Sequence, residues 1–531
     1  MKILGKISTG IMLILTLAAC SSVDKGGVSG GIFHHKTTPV EKNKVVTGDY
    51  TLDYSFFKKR GLPIPDNYRG TGAKYLTVRN DTLKKYGYGF FEKYDEDRAL
   101  KFYKDLKLEG YGDNSPYWRW KMELTKNEFY NGIKTNLPKV YRGRPRDVMT
   151  LVKGEWRSAN ITPGSIGEIK NVEVAARGKS GVAAYVLITT SKNRYLVAKE
   201  LNVRKLFAFN RITTGSKRDI LLYGAKGGNG SYISNPIRKN ISLLPSGYFA
   251  IENSGNSVAI YGGGNGHGVG MPQFAAYDLA VNHGYKYDKI LERNYPNSKI
   301  KNMYSLKGIG KTINVGITTG GGWLDHQSVT LVSNGKMKIK GAGFTIDVPV
   351  RQRVVIVNKG NRLWVSVNGK HRVKTVNPLD ITAFGYYITI DGLKRMHTMS
   401  PQYRGDMIVK PSPTSAKGIR VINRVKIEDY LKQVVPSEMP QSFGLEALKA
   451  QAVAARTYAL SDYIKDRYEK DGFHVKDTTE SQVYNNQREN DDATKAVEAT
   501  AGKVMLYDDK PIDAKYFSTS SGFTEAANYI W

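Results

Sequence analysis

Val434-Val435-Pro436-Ser437-Glu438-Met439-Pro440 places one carboxylate between two prolines, directly ahead of a long helical pattern. Proline fixes φ and restricts the residue before it, so this reads as a stiff turn that aims Glu438 in one direction. The helix expected after it runs from Leu445 to about Arg467. Leu445, Leu448, Ala452, Ala455, Ala459 and Tyr463 recur at helical spacing, and Ser442 is placed as its cap. A single well-aimed carboxylic acid suffices for some sugar-cleaving chemistry.

Outward from this stretch the chain reads as β-rich. It has 531 residues, 40% of them hydrophobic, with 34 Tyr and 54 Gly. That supports more than one packed unit. Strands are expected at Ile169–Val174 and Val182–Thr189 around the Gly178-Lys179-Ser180-Gly181 hairpin, and at Ser257–Tyr261. Further strands are expected at Thr312–Thr318, Arg353–Asn358 and Leu363–Val367, the last before an Asn368-Gly369 turn, and at Val504–Tyr507 and Ala514–Phe517. Helices are expected over Glu92–Leu108, with Leu100, Tyr103 and Leu106 on one side, and over Gln273–His283, ended by Gly284. The fold class is α+β.

The net charge of +32 asks for an anionic partner: nucleic acid, anionic lipid or an anionic wall polymer. The N-terminus narrows this. Lys2 and Lys6 precede the apolar run Ile11–Leu15, and Leu17-Ala18-Ala19-Cys20 follows. This reads as a lipoprotein signal peptide over 1–20, with Cys20, the one cysteine of the chain, as the lipidated residue. The protein is then expected outside the cytoplasmic membrane, held by lipid on that membrane or on the outer membrane facing the wall. Nucleic acid drops out as a partner, and no disulfide forms within the chain. Residues 21–48 read as a flexible tether, with His34 and His35 solvated in it.

Several stretches resemble the SpoIID/LytB family. They are Val425–Pro440, Glu446–Leu460, Asp477-Thr478-Thr479-Glu480-Ser481-Gln482-Val483-Tyr484 and Ser520-Ser521-Gly522-Phe523-Thr524-Glu525. The family includes lytic transglycosylases that cut peptidoglycan glycan strands, and relatives described as amidase enhancers. The resemblance implies an α+β SpoIID-like catalytic domain whose long helix follows the Glu438 turn. It also implies an unusual order. Gly262–Gln273, Gly284–Leu291 and Asn294-Tyr295-Pro296 resemble the family's C-terminal end, yet lie upstream of Glu438. The reading is a circularly permuted domain: 49–305 as the C-terminal half, 306–420 as the β-rich N-terminal region and 421–531 as the catalytic segment. Two incomplete copies, or a chain cut short at Trp531, are the alternative.

The resemblance implies that Glu438 protonates the glycosidic oxygen and then serves as base for the sugar's own 6-hydroxyl, giving a 1,6-anhydro-muramyl product. No water need be activated, so the second carboxylate of a hydrolase is dispensable. An acid in this role wants a raised pKa. Lys449 and Arg456, on one helix face, would lower it if close; they either point away, bind the substrate's carboxylates, or form a solvated basic face. Tyr484, Ser520 and Thr524 carry hydroxyls suited to sugar. His267 and Gln273, in and after the glycine loop Gly262–Gly270, either touch substrate or are structural. Asp477 and Glu525 are the carboxylates to consider for hydrolysis. Where some family members carry zinc ligands, this chain has Lys476, Glu480 and Ser481, so no metal and no cofactor is expected. The expected partners are peptidoglycan glycan strands, the membrane through Cys20 and, in the alternative, a cell-wall amidase that the protein would activate without catalysis.

Overall fold

The computed structural model describes residues 61–63, 73–83, 85–87, 89–91, 95–396, 398–486, 489–527 and 530. The signal peptide, Cys20, the tether and Glu92 lie outside the described residues. Among the described residues no helix is long and apolar enough to cross a membrane.

Mixed α+β architecture, rich in strand, follows from two kinds of pattern. Strict alternation builds half-buried antiparallel strands: Val354–Asn358 and Leu363–Val367 bury every second residue. Together with Ser328–Ser333, Lys370–Thr375, Ile388–Ile390 and Gln402–Tyr403 they form a six-stranded sheet. A seven-stranded sheet places Ile419–Lys426 beside Thr312–Ile317, antiparallel, with Val421 opposite Ile317 and Lys426 opposite Thr312. Ile419–Lys426 runs straight into the helix Ile427–Glu438.

The helix Leu445–Lys465 is apolar or small nearly all round, and fifteen of its residues, Ala447 to Asp462, are buried. A helix without a polar face must be enclosed. Its alanines let Gln273–Val281, Tyr287–Asn294, Ile427–Glu438 and Asp491–Ala499 pack around it. Its start differs from expectation. Gly444, at φ +81°, is the N-cap and offers no side chain, while Ser442 sits in the 3-10 turn Gln441–Phe443. Leu445 is exposed rather than core, because the first turn projects beyond the packed helices. The helix expected at 92–108 is Glu96–Lys104, capped by Asp95; it buries Ala99, Phe102 and Tyr103, and Leu106 falls beyond its end.

A second core lies within residues 119–262. Two five-stranded sheets enclose the helix Lys126–Gly143, and Trp120, Met122, Phe129, Ile133, Leu137, Val186 and Phe207 fill the space between them. Thr125 and Glu128 cap that helix reciprocally.

The stretches on either side of 306–420 meet. Met271–Pro272 pairs in parallel with Tyr516–Phe517, Asn265 bridges to Thr519, and Lys299–Asn302 pairs with Lys503–Leu506. Gly270 shows how close the approach is. At φ +79°, a Cβ there would stand 1.9 Å from the carbonyl oxygen of Lys515, so both the backbone angle and the space demand glycine.

Candidate active site

Glu438 is the last residue of the helix Ile427–Glu438, not part of a turn. Pro436 lies inside that helix, so the last turn forgoes the bond an N–H there would make to Lys432. Ser437 Oγ closes the turn onto the Gln433 carbonyl (2.7 Å), and Met439 N–H bonds to Val435 (2.9 Å). The stiffness read from the two prolines is therefore supplied by a helix end packed against the long helix.

A helix C-terminus leaves carbonyls unpaired. That of Glu438 accepts from Gln273 Nε2 at 3.0 Å, and the same amide reaches Gln451 Oε1 at 3.5 Å and comes within hydrogen-bonding range of the Glu438 carboxyl. Gln273 and Glu438 are 165 positions apart in the chain. The carboxyl receives Val483 N–H on Oε1 at 2.7 Å and adjoins the Tyr516 hydroxyl. Burial outweighs these hydrogen bonds and pushes the carboxyl up to about 7. Among the described residues no charged side chain contributes to that balance.

Tyr516 OH donates to Gln482 Oε1 (2.9 Å), and Gln482 Nε2 donates to Tyr430 OH (3.3 Å). A hydroxyl has one proton. When Glu438 is protonated it can donate to Tyr516; when ionised it draws the Tyr516 proton toward itself and away from Gln482. This polar chain gives the carboxyl a hydrogen-bond partner in either ionisation state. Removing the hydroxyl in Tyr516→Phe takes away a bond that favours the ionised acid. We expect the alkaline limb of any Glu438-dependent activity to move upward by about half a pH unit to one unit, read from rates between pH 5 and 9.

The other expected site residues separate. Arg456 is fully enclosed: its guanidinium grips Glu428 through two bonds (3.0 and 2.6 Å) and also donates to the Lys503 carbonyl (3.0 Å). It has no surface to offer a sugar, which corrects the substrate-binding role. Lys449 pairs with Glu446 (2.8 Å), whose carboxylate also accepts the Tyr287 N–H (2.9 Å). Arg456 thus joins elements, while Lys449 is paired within its own helix to the carboxylate that caps Tyr287. Tyr484 is buried, bonded to Asn423 and packed on Tyr430 at 4.9 Å between ring centres. Thr524 is enclosed and donates to the Thr77 carbonyl; Ser520 is buried and accepts the Gly522 N–H. None of the three can meet substrate without the fold opening.

His267 is half-buried beside Phe517. Its Nδ1 accepts the Val269 N–H (3.1 Å), and burial, with Lys515 and Arg204 nearby, holds the ring down to about 3, so it is neutral near pH 7. The glycine loop is thereby shaped by its histidine and seated next to the strand that carries Tyr516. Asp477 is committed to Thr318 and to an ion pair with Arg395. Glu525 accepts from Ser180 and Ala526 in an enclosed pocket, where burial pushes it up to about 7. Neither is placed against Glu438 by a hydrogen bond. Lys476 pairs with Glu480 (2.6 Å) and Ser481 Oγ accepts the Lys476 N–H, and among the described residues no group of three His, Cys, Asp or Glu side chains could hold a metal ion.

Gln451, Gln482 and Tyr516 form the acid's immediate setting and were not singled out from the sequence. Gln482 lies inside the Asp477–Tyr484 motif, which was the available signal; Tyr516 had none beyond its strand.

A lone, half-buried acid at the end of a helix, flanked by amides and phenols, is the site defined by this fold. Residues 415–507 match the SpoIID family model, described as Stage II sporulation protein, so this segment of the chain is similar to that family. It is 50% identical over 101 residues to the "Amidase enhancer" of Bacillus subtilis strain 168, covering 19% of this chain and 13% of that protein. Over 158 residues it is 37% identical to "Stage II sporulation protein D" of Bacillus amyloliquefaciens, covering 26% and 46%. The protein of the same name from Bacillus subtilis strain 168 is 35% identical over 161 residues, covering 27% and 47%. The chain thus spans less than half the length of these curated relatives. No solved structure matches it. The family segment includes Glu438, Gln451 and Gln482 and leaves Gln273, His267 and Tyr516 outside.

Proposed function

We propose that the protein is a peptidoglycan lytic transglycosylase in which Glu438 acts first as acid and then as base. The observation that supports this most is the carboxyl's elevation to about 7 by burial, with no charged partner among the described residues. Near neutral pH the acid form is well populated, so it can protonate a glycosidic oxygen; the carboxylate left behind can take the proton of the 6-hydroxyl as the anhydro ring closes. One group gives and then regains the proton, and the products balance without water.

The site is completed by the upstream stretch around Gln273, and we read this as one domain with its halves exchanged in the chain. Support comes from the parallel pairing of Met271–Pro272 with Tyr516–Phe517 and from the Gln273–Glu438 bond. The protein acts outside the cytoplasmic membrane, tethered by lipid on Cys20; Lys2, Lys6 and the apolar run before that lone cysteine support this.

A second reading, a non-catalytic activator of a wall amidase, is favoured by the 50% identity to a protein named Amidase enhancer. Purified glycan strands incubated with the protein separate the readings by mass spectrometry of the ends. Transglycosylation yields 1,6-anhydro-muramyl ends. Hydrolysis, with Asp477 or Glu525 recruited, yields reducing ends. Intact strands, together with faster stem-peptide release when an amidase is added, would establish the activator instead.

A further inference from the structure

Lys449 and Arg456 are both committed to carboxylates of their own fold, so the cations available to an anionic polymer must lie elsewhere. Between Asp347 and Asp380 the chain contains no Asp or Glu. The paired strands Leu363–Val367 and Lys370–Thr375, with the turn before them, carry Lys359, Arg362, Lys370, Arg372 and Lys374, all exposed and none ion-paired among the described residues. Trp364 points outward from the first strand, because its neighbours Leu363 and Val365 point into the core. Lys374 stands directly opposite it in register. The ammonium groups of Lys359 and Lys374 lie 5.2 and 5.7 Å from the indole centre, and the His371 ring lies 5.1 Å away.

Basic residues also guard an exposed sheet edge against pairing with another chain. That role requires neither a tryptophan nor cations arranged on two sides of it. Like charges held this near one another repel and are relieved by an anion. The indole is half-buried with Lys359 and Lys374 over its ring, so an acidic group that draws the two ammonium ions aside bares an apolar face to the C–H side of a sugar ring. Exposed apolar bulk on the hairpin is limited to Val376 beyond its end, and its tip is Asn368-Gly369, so nothing there would wedge into a bilayer.

We propose that this hairpin face is a second, non-catalytic binding site for a glycan strand carrying free carboxylates. Trp364 stacks on a sugar ring while Lys359 and Lys374 pair with the acidic substituents on either side. The inference rests on the proposed action on peptidoglycan and adds to it a second place on the fold where the polymer is held.

The test uses the full chain with Glu438→Gln, so that strands are held rather than cut, and measures binding of peptide-free glycan strands by fluorescence anisotropy. Trp364→Ala and the double variant Lys359→Gln/Lys374→Gln are each expected to weaken binding about tenfold, with melting temperatures unchanged. Strands whose carboxylates have been reduced to alcohols should bind the parent as weakly as native strands bind the double lysine variant, and added salt should erase the difference. Binding of both variants within about twofold of the parent would overturn the site. So would tighter binding of polyglycerol phosphate or of anionic phospholipid vesicles than of the strands. The readout is independent of cleavage: a protein that cuts strands but fails this test keeps its proposed function and loses the second site, and one that binds through Trp364 without cutting does the reverse.

Discussion

Glu438→Gln should lower the rate of glycan cleavage by about a thousandfold, the size of effect expected when a positioned general acid is lost. The amide nearly matches the acid in shape, and it can still accept the Val483 N–H, so the fold has no reason to change. What it lacks is a proton to give and a base to leave behind. Both halves of the reaction fail together, and added nucleophiles do not restore it. Wild-type and variant melting curves should coincide within a degree or two, in contrast to the rates. Equal rates would remove Glu438 from the chemistry and transfer the question to Asp477 or Glu525.

The largest effect on stability should come from the pair behind the site. Arg456 has no exposed surface, and Glu428 is its carboxylate partner at 3.0 and 2.6 Å. Glu428 also accepts the Gly502 N–H (3.0 Å), so the pair ties the helix carrying Glu438 to the long helix and to the strand Lys503–Tyr507. Glu428→Gln leaves a guanidinium buried without its counter-charge, and we expect a loss of roughly 3–5 kcal/mol. Chemical denaturation would read this as a lower midpoint at unchanged slope. A loss below about 1 kcal/mol would mean that solvent reaches Arg456 and that the two helices are not locked.

The periodic signals of the sequence transferred well where one pattern governed. The alternating strands at 354–358 and 363–367 follow from burial of one face, the long alanine-rich helix from burial of all faces, and the hairpin at Gly178–Gly181 from its turn glycines between two apolar runs. What sequence could not convey was where side chains find their partners. Arg456 and Lys449 look like an open basic face on a helical wheel, yet each meets a carboxylate from another turn or another helix. Tyr484 and Thr524 sit in motifs that resemble a site, yet Tyr484 packs on Tyr430 and Thr524 bonds to the Thr77 carbonyl, both enclosed. Glu438 itself was legible as a residue and misjudged as a conformation: two prolines suggested a turn, and a helix end supplies the rigidity. Gln273 was legible only through resemblance, since nothing local to it foretells a bond across 165 positions to the acid.

The dependence of kcat/KM on pH, measured on soluble peptide-free glycan between pH 4 and 9, tests the lone-acid account most directly. The reaction needs Glu438 protonated in the free enzyme, and burial places that ionisation at about 7. The account predicts activity that is level below pH 6 and falls tenfold per unit on the alkaline side of about 7, with no ascending limb. A bell with an ascending limb near pH 4 to 5 would reveal a second carboxylate that must be ionised, and would contradict it.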